Sequence, residues 1–218
     1  CNWFLKQGYE IHVISFINAI IQGVTVHWID TGVNAKEADS KKLKYLLYAS
    51  QVRKTVNQIG PDIINVHYAT SYGTVVVLAG IKNYVLSVWG SDVYDFPKKS
   101  FLHKAMLKYS LNNAEHIFST SKAMAKEAQK YTNKQMEITP FGVDMDLFVP
   151  RSRKENKKYI VGTIKALTPK YGIDYLLKAV AIVKKEHSEI PIKLRIAGKG
   201  PKELEYKELA DMLNIKDI

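Results

Sequence analysis

Cysteine is nearly absent from this chain. Cys1 is the only one in 218 residues, which excludes an internal disulfide framework and any cysteine metal cluster and favours a reducing compartment. Long apolar runs are missing as well, and none would span a bilayer. There is no short internal repeat and no low-complexity tract, so solenoid and compositionally disordered classes are excluded. The six histidines show no pair at metal-ligand spacing. Acidic residues are in deficit: 21 Asp and Glu stand against 32 Lys and Arg, for a net charge of +11. The excess divides as +4 over residues 1–150 and +7 over residues 151–218. Either this is a lysine-rich solvated surface, or it meets an anionic partner: a nucleotide diphosphate, an acidic membrane face or nucleic acid.

What is present is a globular composition, 46% hydrophobic and 24% charged, arranged as alternating strands and helices. Residues 3–7 read as the last turn of a helix capped by Gly8. β-Branched runs at 10–15 and 24–29 read as strands. Ser40 caps a long amphipathic segment whose apolar stripe is Leu43, Leu46, Leu47, Val52, Val56 and Ile59, ended by Gly60-Pro61. Residues 63–67 predict a buried parallel strand, 74–79 a small-residue helix and 84–88 a further strand. A basic helix follows over 100–113, a strand over 117–120, and a helix capped by Ser121 that ends near Tyr131. After a charged stretch at 151–158 the pattern restarts, with strands at 159–164 and 193–197 and helices at 173–186 and 202–213. Such alternation predicts an α/β fold with parallel sheets.

The alternation breaks once, at Thr139-Pro-Phe-Gly-Val-Asp-Met-Asp-Leu-Phe-Val-Pro150. Gly142 can take backbone angles other residues avoid, and Pro140 and Pro150 stiffen both sides. Phe141, Val143, Leu147 and Phe148 are placed to grip the flanking domains. A stiff, apolar-anchored crossing between two sheet domains predicts a cleft, where α/β proteins bind ligands. Three further motifs stand in order around it: Val88-Trp-Gly-Ser-Asp-Val93, Lys170-Tyr-Gly-Ile-Asp-Tyr-Leu-Leu-Lys-Ala179 and Ile196-Ala-Gly-Lys-Gly-Pro201. Together they resemble the retaining GT-B glycosyltransferases of the group 1 (family 4-like) class, over nearly the whole chain.

The resemblance implies two Rossmann-like parallel-sheet domains, residues 1–150 on the acceptor side and 151–218 on the nucleotide-sugar side. It implies that both are incomplete. The central first strand of the first domain would lie before Asn2, and the carboxylate pair that holds the donor sugar would lie beyond Ile218. It further implies sugar transfer with retention from a nucleotide-sugar to a carbohydrate or lipid-linked acceptor, in cell-surface polysaccharide assembly, without a metal or other cofactor. The piece by itself is expected to bind nucleotide diphosphates feebly and to transfer no sugar.

Candidate residues follow. Lys165 and Lys170, with Gly162 and Thr163 on the preceding strand, stand where the family neutralises the donor diphosphate; the family's Arg after the strand glycine is Thr163 here. Fixed positive charge at that point stabilises the departing diphosphate. Solvated loop lysines are the alternative. Gly198 and Gly200 open a helix and let backbone approach a phosphate, or simply make a tight turn. Trp89, Gly90 and Ser91 are expected on the acceptor, with Trp89 where the family often carries His. Asp92, a catalytic candidate, either accepts hydrogen bonds from acceptor hydroxyls or caps a helix, and Trp89 either stacks on a sugar or belongs to the core. His67 ends a strand on the same rim as a catalytic candidate, or as an ordinary structural histidine.

Asp144-Met145-Asp146 spells Asp-x-Asp, but its position in the linker favours turn capping over metal binding. Lys98, Lys99, Lys104 and Lys108 beside Phe101, Leu102, Met106 and Leu107 suit peripheral contact with an anionic membrane at its cytoplasmic face, or a surface helix packed on the sheet. A non-catalytic nucleic-acid-binding module is the competing class; no helix-turn-helix, RNA-binding aromatic motif or finger supports it. An epimerase or dehydrogenase would need a Tyr-x-x-x-Lys pair in the context of that fold and an intact glycine fingerprint, which are lacking.

Overall fold

The computed structural model describes residues 2–33, 43–150 and 158–215. The expected cap at Ser40 and most of the charged stretch after Pro150 lie outside the described residues. The chain forms two compact units, Cys1–Val143 and Asp144–Ile218, so the division falls inside the linker motif.

In the first unit a short helix, α1 (Asn2–Lys6), ends at Gly8, whose φ of +84° is a left-handed turn that side chains resist. Strands β1 (His12–Ser15) and β2 (Thr25–Trp28) then pair in parallel, His12 opposite Thr25 through Ser15 opposite Trp28. A 3-10 segment (Leu43–Tyr48) runs into α2 (Ala49–Ile59), which stops at Gly60 with φ +60°. A four-stranded parallel sheet follows in the order β3 (Ile64–His67), β4 (Tyr84–Val88), β5 (His116–Ser119) and β6 (Glu137–Ile138). Its crossovers carry α3 (Ser71–Leu78), the one-turn α4 (Ser91–Tyr94), α5 (Phe101–Asn113) and α6 (Lys122–Ala128). The serine caps fall where the sequence puts them: the Ser100 hydroxyl accepts from the His103 amide and that of Ser121 from the Met124 amide.

Two clusters make this unit's core. Tyr84, Leu86 and Val88 of β4 are fully buried against Leu107, Leu111, Ile117 and Ala128. Each such side chain contributes about 1.5–3 kcal/mol by leaving water. The second cluster joins Phe16 and Ile29 to Tyr45, Val52, Val75 and Ala79, with the Phe16 ring 4.4 Å from Tyr45 and 5.4 Å from Tyr72. Helix α3 serves both clusters, Val76 in one and Val75 in the other together with Ala79 just past its end, which explains why it is apolar on more than one face.

The apolar stripe read from the sequence needs two corrections. Leu47 is exposed, and Tyr45 is the buried residue of that segment because the 3-10 turn rotates it inward. Ile63 is also exposed, since β3 begins one residue later. In the linker Phe141, Val143, Leu147 and Phe148 are exposed and lie in none of the core clusters, so they do not grip by burial.

In the second unit β7 (Tyr159–Ile164) pairs in parallel with β8 (Ile192–Ala197) along its full length. Helices α7 (Ile173–Glu186) and α8 (Glu203–Met212) cover it through Ile173, Leu177 and Tyr206, in one cluster with Leu167 and Ile215. Every strand pairing among the described residues is parallel.

Candidate functional site

His67, Trp89, Gly90, Ser91 and Asp92 come together at the carboxyl ends of β3 and β4, where open parallel sheets present function. Both strands leave the sheet through turns with positive φ, +83° at Tyr68 and +123° at Gly90. For Gly90 that conformation is cheap; for Tyr68 it is strained by about 1–3 kcal/mol and persists because its surroundings hold it.

Asp92 is what holds them. Its carboxylate is fully buried and accepts from the Ala69 amide at 2.9 Å, the Gly90 amide at 2.8 Å and the Trp89 amide at 3.1 Å. It therefore clips the β3 and β4 loops together and presents no exposed atom. Burial pushes its carboxyl above the usual carboxylate range, while the amides of Ala69, Trp89 and Gly90 pull the other way. A second tie runs between the Tyr68 and Ser91 hydroxyls, 2.5 Å apart.

Trp89 and His67 face outward. Trp89 is exposed rather than core, and its ring lies 5.5 Å from His67 and 5.3 Å from Phe141. His67 is itself exposed, yet the protein around its ring disfavours the imidazolium and lowers its pKa. At neutral pH it therefore offers one donor and one acceptor.

In the second unit Gly162 and Thr163 lie within β7, and Lys165 follows the strand. The chain stays extended beside 197–199, the Lys165 amide donating to Ala197 and the Leu167 amide to Lys199. Gly198 and Gly200 are required by that path. A Cβ on Gly198 would stand 1.9 Å from the Lys165 carbonyl oxygen, and one on Gly200 2.3 Å from that of Leu167. The close approach these glycines permit is thus to the β7 loop. Leu167 anchors the loop in the core, a 3-10 turn (Pro169–Tyr171) presents Lys170, and Gly172 with φ +62° starts α7. The Lys165 ammonium lies 5.4 Å from the centre of the Tyr171 ring. The loop thus sets two lysines before the amide-rich start of a helix.

Among the described residues no cluster of His, Cys, Asp or Glu could hold a metal ion. Asp144 is occupied as a turn cap, accepting from the amides of Asp146 and Leu147. No helix among those residues is long and apolar enough to cross a membrane. One surface hollow lies beside Arg53 and Asn57 on α2, and a second between α7 and α8 near Asp174 and Tyr206. The first involves none of the loop residues above, and the second takes in only Pro169 of the 3-10 turn.

The family described as glycosyl transferase 4-like matches residues 1–121, more than half of the chain. The chain belongs to that family. Residues 144–218 match a second description, glycosyl transferases group 1. The glycosyl transferase 4-like match therefore contains the His67 and Trp89–Asp92 loops, and the group 1 match contains the lysine–glycine loop.

Among curated proteins the chain is 30% identical over 117 residues to TuaC of Bacillus subtilis strain 168, named as a teichuronic acid biosynthesis glycosyltransferase; the alignment covers 51% of this chain and 30% of TuaC. Two solved structures share the fold. A mutant of S. aureus TarM, solved with fondaparinux, α-GlcNAc-glycerol and UDP, matches with a TM-score of 0.56 at 11% identity, over 81% of this chain and 35% of its own. The lipopolysaccharide outer core galactosyltransferase WaaB in its apo form matches at 0.55 and 12% identity, over 90% and 52%. The chain thus spans between 30% and 52% of the length of these relatives, and its parallel-sheet α/β fold is that of GT-B glycosyltransferases.

Two features of this glycosyl transferase 4-like chain were not legible in its sequence. Nothing in His67-Tyr68-Ala69 marks Tyr68 as strained, because the turn is imposed by Asp92, distant in sequence. The Trp89–Phe141 contact was missed because Phe141 reads as a linker anchor; its ring reaches Trp89 through β6, a two-residue strand too short to show as a periodic pattern.

Proposed function

We propose that the protein is a retaining glycosyltransferase that moves a sugar from a nucleotide-sugar to a carbohydrate or lipid-linked acceptor in cell-surface glycan assembly, without a metal cofactor. The carrying observation is the loop after β7: two lysines and a helix start held by backbone packing against Gly198 and Gly200. Breaking the sugar–phosphate bond builds charge on the departing diphosphate. Lys165, Lys170 and the first amides of α7 are placed to stabilise it. Retention is supported by the linker resemblance, and glycan assembly by the names of TuaC and WaaB.

In this reading the loops after β3 and β4 receive the acceptor. Trp89 and Ser91 touch it, His67 supplies a neutral hydrogen-bonding group, and Asp92 acts as a positioning residue through the backbone of both loops. A cytoplasmic location at the inner face of the plasma membrane follows from the donor chemistry and the single cysteine. Helix α5 supports contact with anionic lipid: Leu107 and Leu111 turn inward, Phe101 and Leu102 are exposed, and the helix carries lysines and no acid.

The test uses the full-length protein with a panel of nucleotide-sugars and glycan acceptors. Transfer is expected with one donor, and Lys170→Ala should lower turnover about a hundredfold or more without altering unfolding. Unchanged kinetics with the correct donor would remove Lys170 from the reaction.

A further inference from the structure

We propose that Trp89 and Phe141, edged by His67, form a stacking platform for one ring of an uncharged saccharide, and that Phe141 is a determinant of acceptor affinity. This rests on the glycosyltransferase reading and names a part of its acceptor site. His67 ends β3, while Trp89 and Phe141 lie in the loops after β4 and β6, and the rings meet at centroid distances of 5.5 and 5.3 Å with interplanar angles of 68° and 46°. They are not spent on the core: Trp89 is 46% exposed and Phe141 68%. An exposed apolar patch rimmed by polar groups marks a binding surface.

The rim here is polar. The Ser91 and Tyr68 hydroxyls lie 2.5 Å apart in the same loops, and His67 keeps one donor and one acceptor. A pyranose has that same division, an apolar C–H face and a hydroxyl edge. Large aromatic faces with a polar margin match it.

Charge decides between a sugar and a nucleotide. Residues 67–71, 89–95 and 138–143 contain no Lys or Arg, so these segments themselves offer a phosphorylated ligand no counter-charge. The lysines that suit a diphosphate belong to the β7 loop. An uncharged ring is the ligand this aromatic cluster fits.

The experiment labels the full-length protein with 5-fluorotryptophan and assigns the Trp89 resonance by Trp89→Phe. Maltose, cellobiose, chitobiose and uridine are then titrated separately. At least one disaccharide should shift the Trp89 resonance, with uridine leaving it in place. Phe141→Ala should weaken that disaccharide about tenfold and raise the acceptor KM similarly with an unchanged donor KM. Phe141→Leu, which keeps bulk but no ring, should recover only part. Because Phe141 is exposed, both variants should unfold like the parent.

No shift with any disaccharide, an equal shift with uridine, full recovery by Leu, or unchanged affinity in Phe141→Ala would overturn the proposal. Disaccharide binding without sugar transfer from any donor would overturn the glycosyltransferase reading and leave the platform standing. Transfer with an unchanged acceptor KM in Phe141→Ala would do the reverse.

Discussion

In the first unit the loops after β3 and β4 are fixed by a group that is present: the Asp92 carboxylate, fully buried and bound by three backbone amides. In the second unit the loop after β7 is fixed by groups that are absent, because the missing side chains of Gly198 and Gly200 admit the backbone of residues 165–167. Their surroundings differ accordingly. Strand β4 buries Tyr84, Leu86 and Val88 completely, whereas no residue of β7 is buried. The first unit can hold a strained Tyr68 because a packed core and a desolvated carboxylate stand behind it. The second relies on steric fit between two loops, with Leu167 as the apolar anchor. A polar clip is sensitive to unsatisfied hydrogen bonds, and a steric one to added volume.

The largest effect is expected from removing the polar clip. Asp92→Ala leaves three amides without their acceptor and should destabilise the first unit by about 3–5 kcal/mol in urea unfolding. Asp92→Asn, which keeps one acceptor oxygen, should cost less. Equal stability of Asp92→Ala and the parent would mean the clip holds nothing.

Next comes the steric clip. Gly198→Ala must displace the Lys165 carbonyl and should cost about 2–3 kcal/mol in the second unit. Gly162→Ala, whose Cβ would meet only the Arg195 carbonyl oxygen at 3.7 Å, should stay within about 1 kcal/mol. A similar cost at both positions would deny that the glycines of the two motifs differ in role.

The smallest effect concerns pH. His67 has its folded pKa depressed below 6.5 by desolvation, so its contribution is fully present above 6.5 and is lost as pH falls through the lower folded value. The first unit should therefore weaken slightly as pH falls from 7.5 through that window, and His67→Gln should flatten the change. A first unit that grows more stable over that interval because of His67 would reverse the sign of its environment.

How much was legible in the sequence follows the same division. Strands such as Tyr84–Val88 and Tyr159–Ile164 and the caps Ser100 and Ser121 were readable, because apolar runs and capping residues are local. The positions of Trp89 and Ser91 just after β4, and of Lys170 in the loop after β7, were readable from motif order. What was not readable is long-range. The burial of Asp92 depends on the Ala69 amide 23 residues earlier, and the need for Gly198 depends on a carbonyl in a different loop. The exposure of Phe101 and Leu102 was equally hidden, since an apolar residue on a helix reads as inward-facing until its neighbours are known.

The claim that the two units divide the labour, with the phosphate-bearing donor at the β7 loop and the uncharged acceptor at the β3 and β4 loops, is tested most directly by hydrogen exchange. The full-length protein would be followed by mass spectrometry with and without UDP or GDP. Slowed exchange over residues 162–172 and 198–203, with residues 67–70 and 89–92 unaffected, is the result this division predicts. Protection confined to residues 67–70 and 89–92 would contradict it.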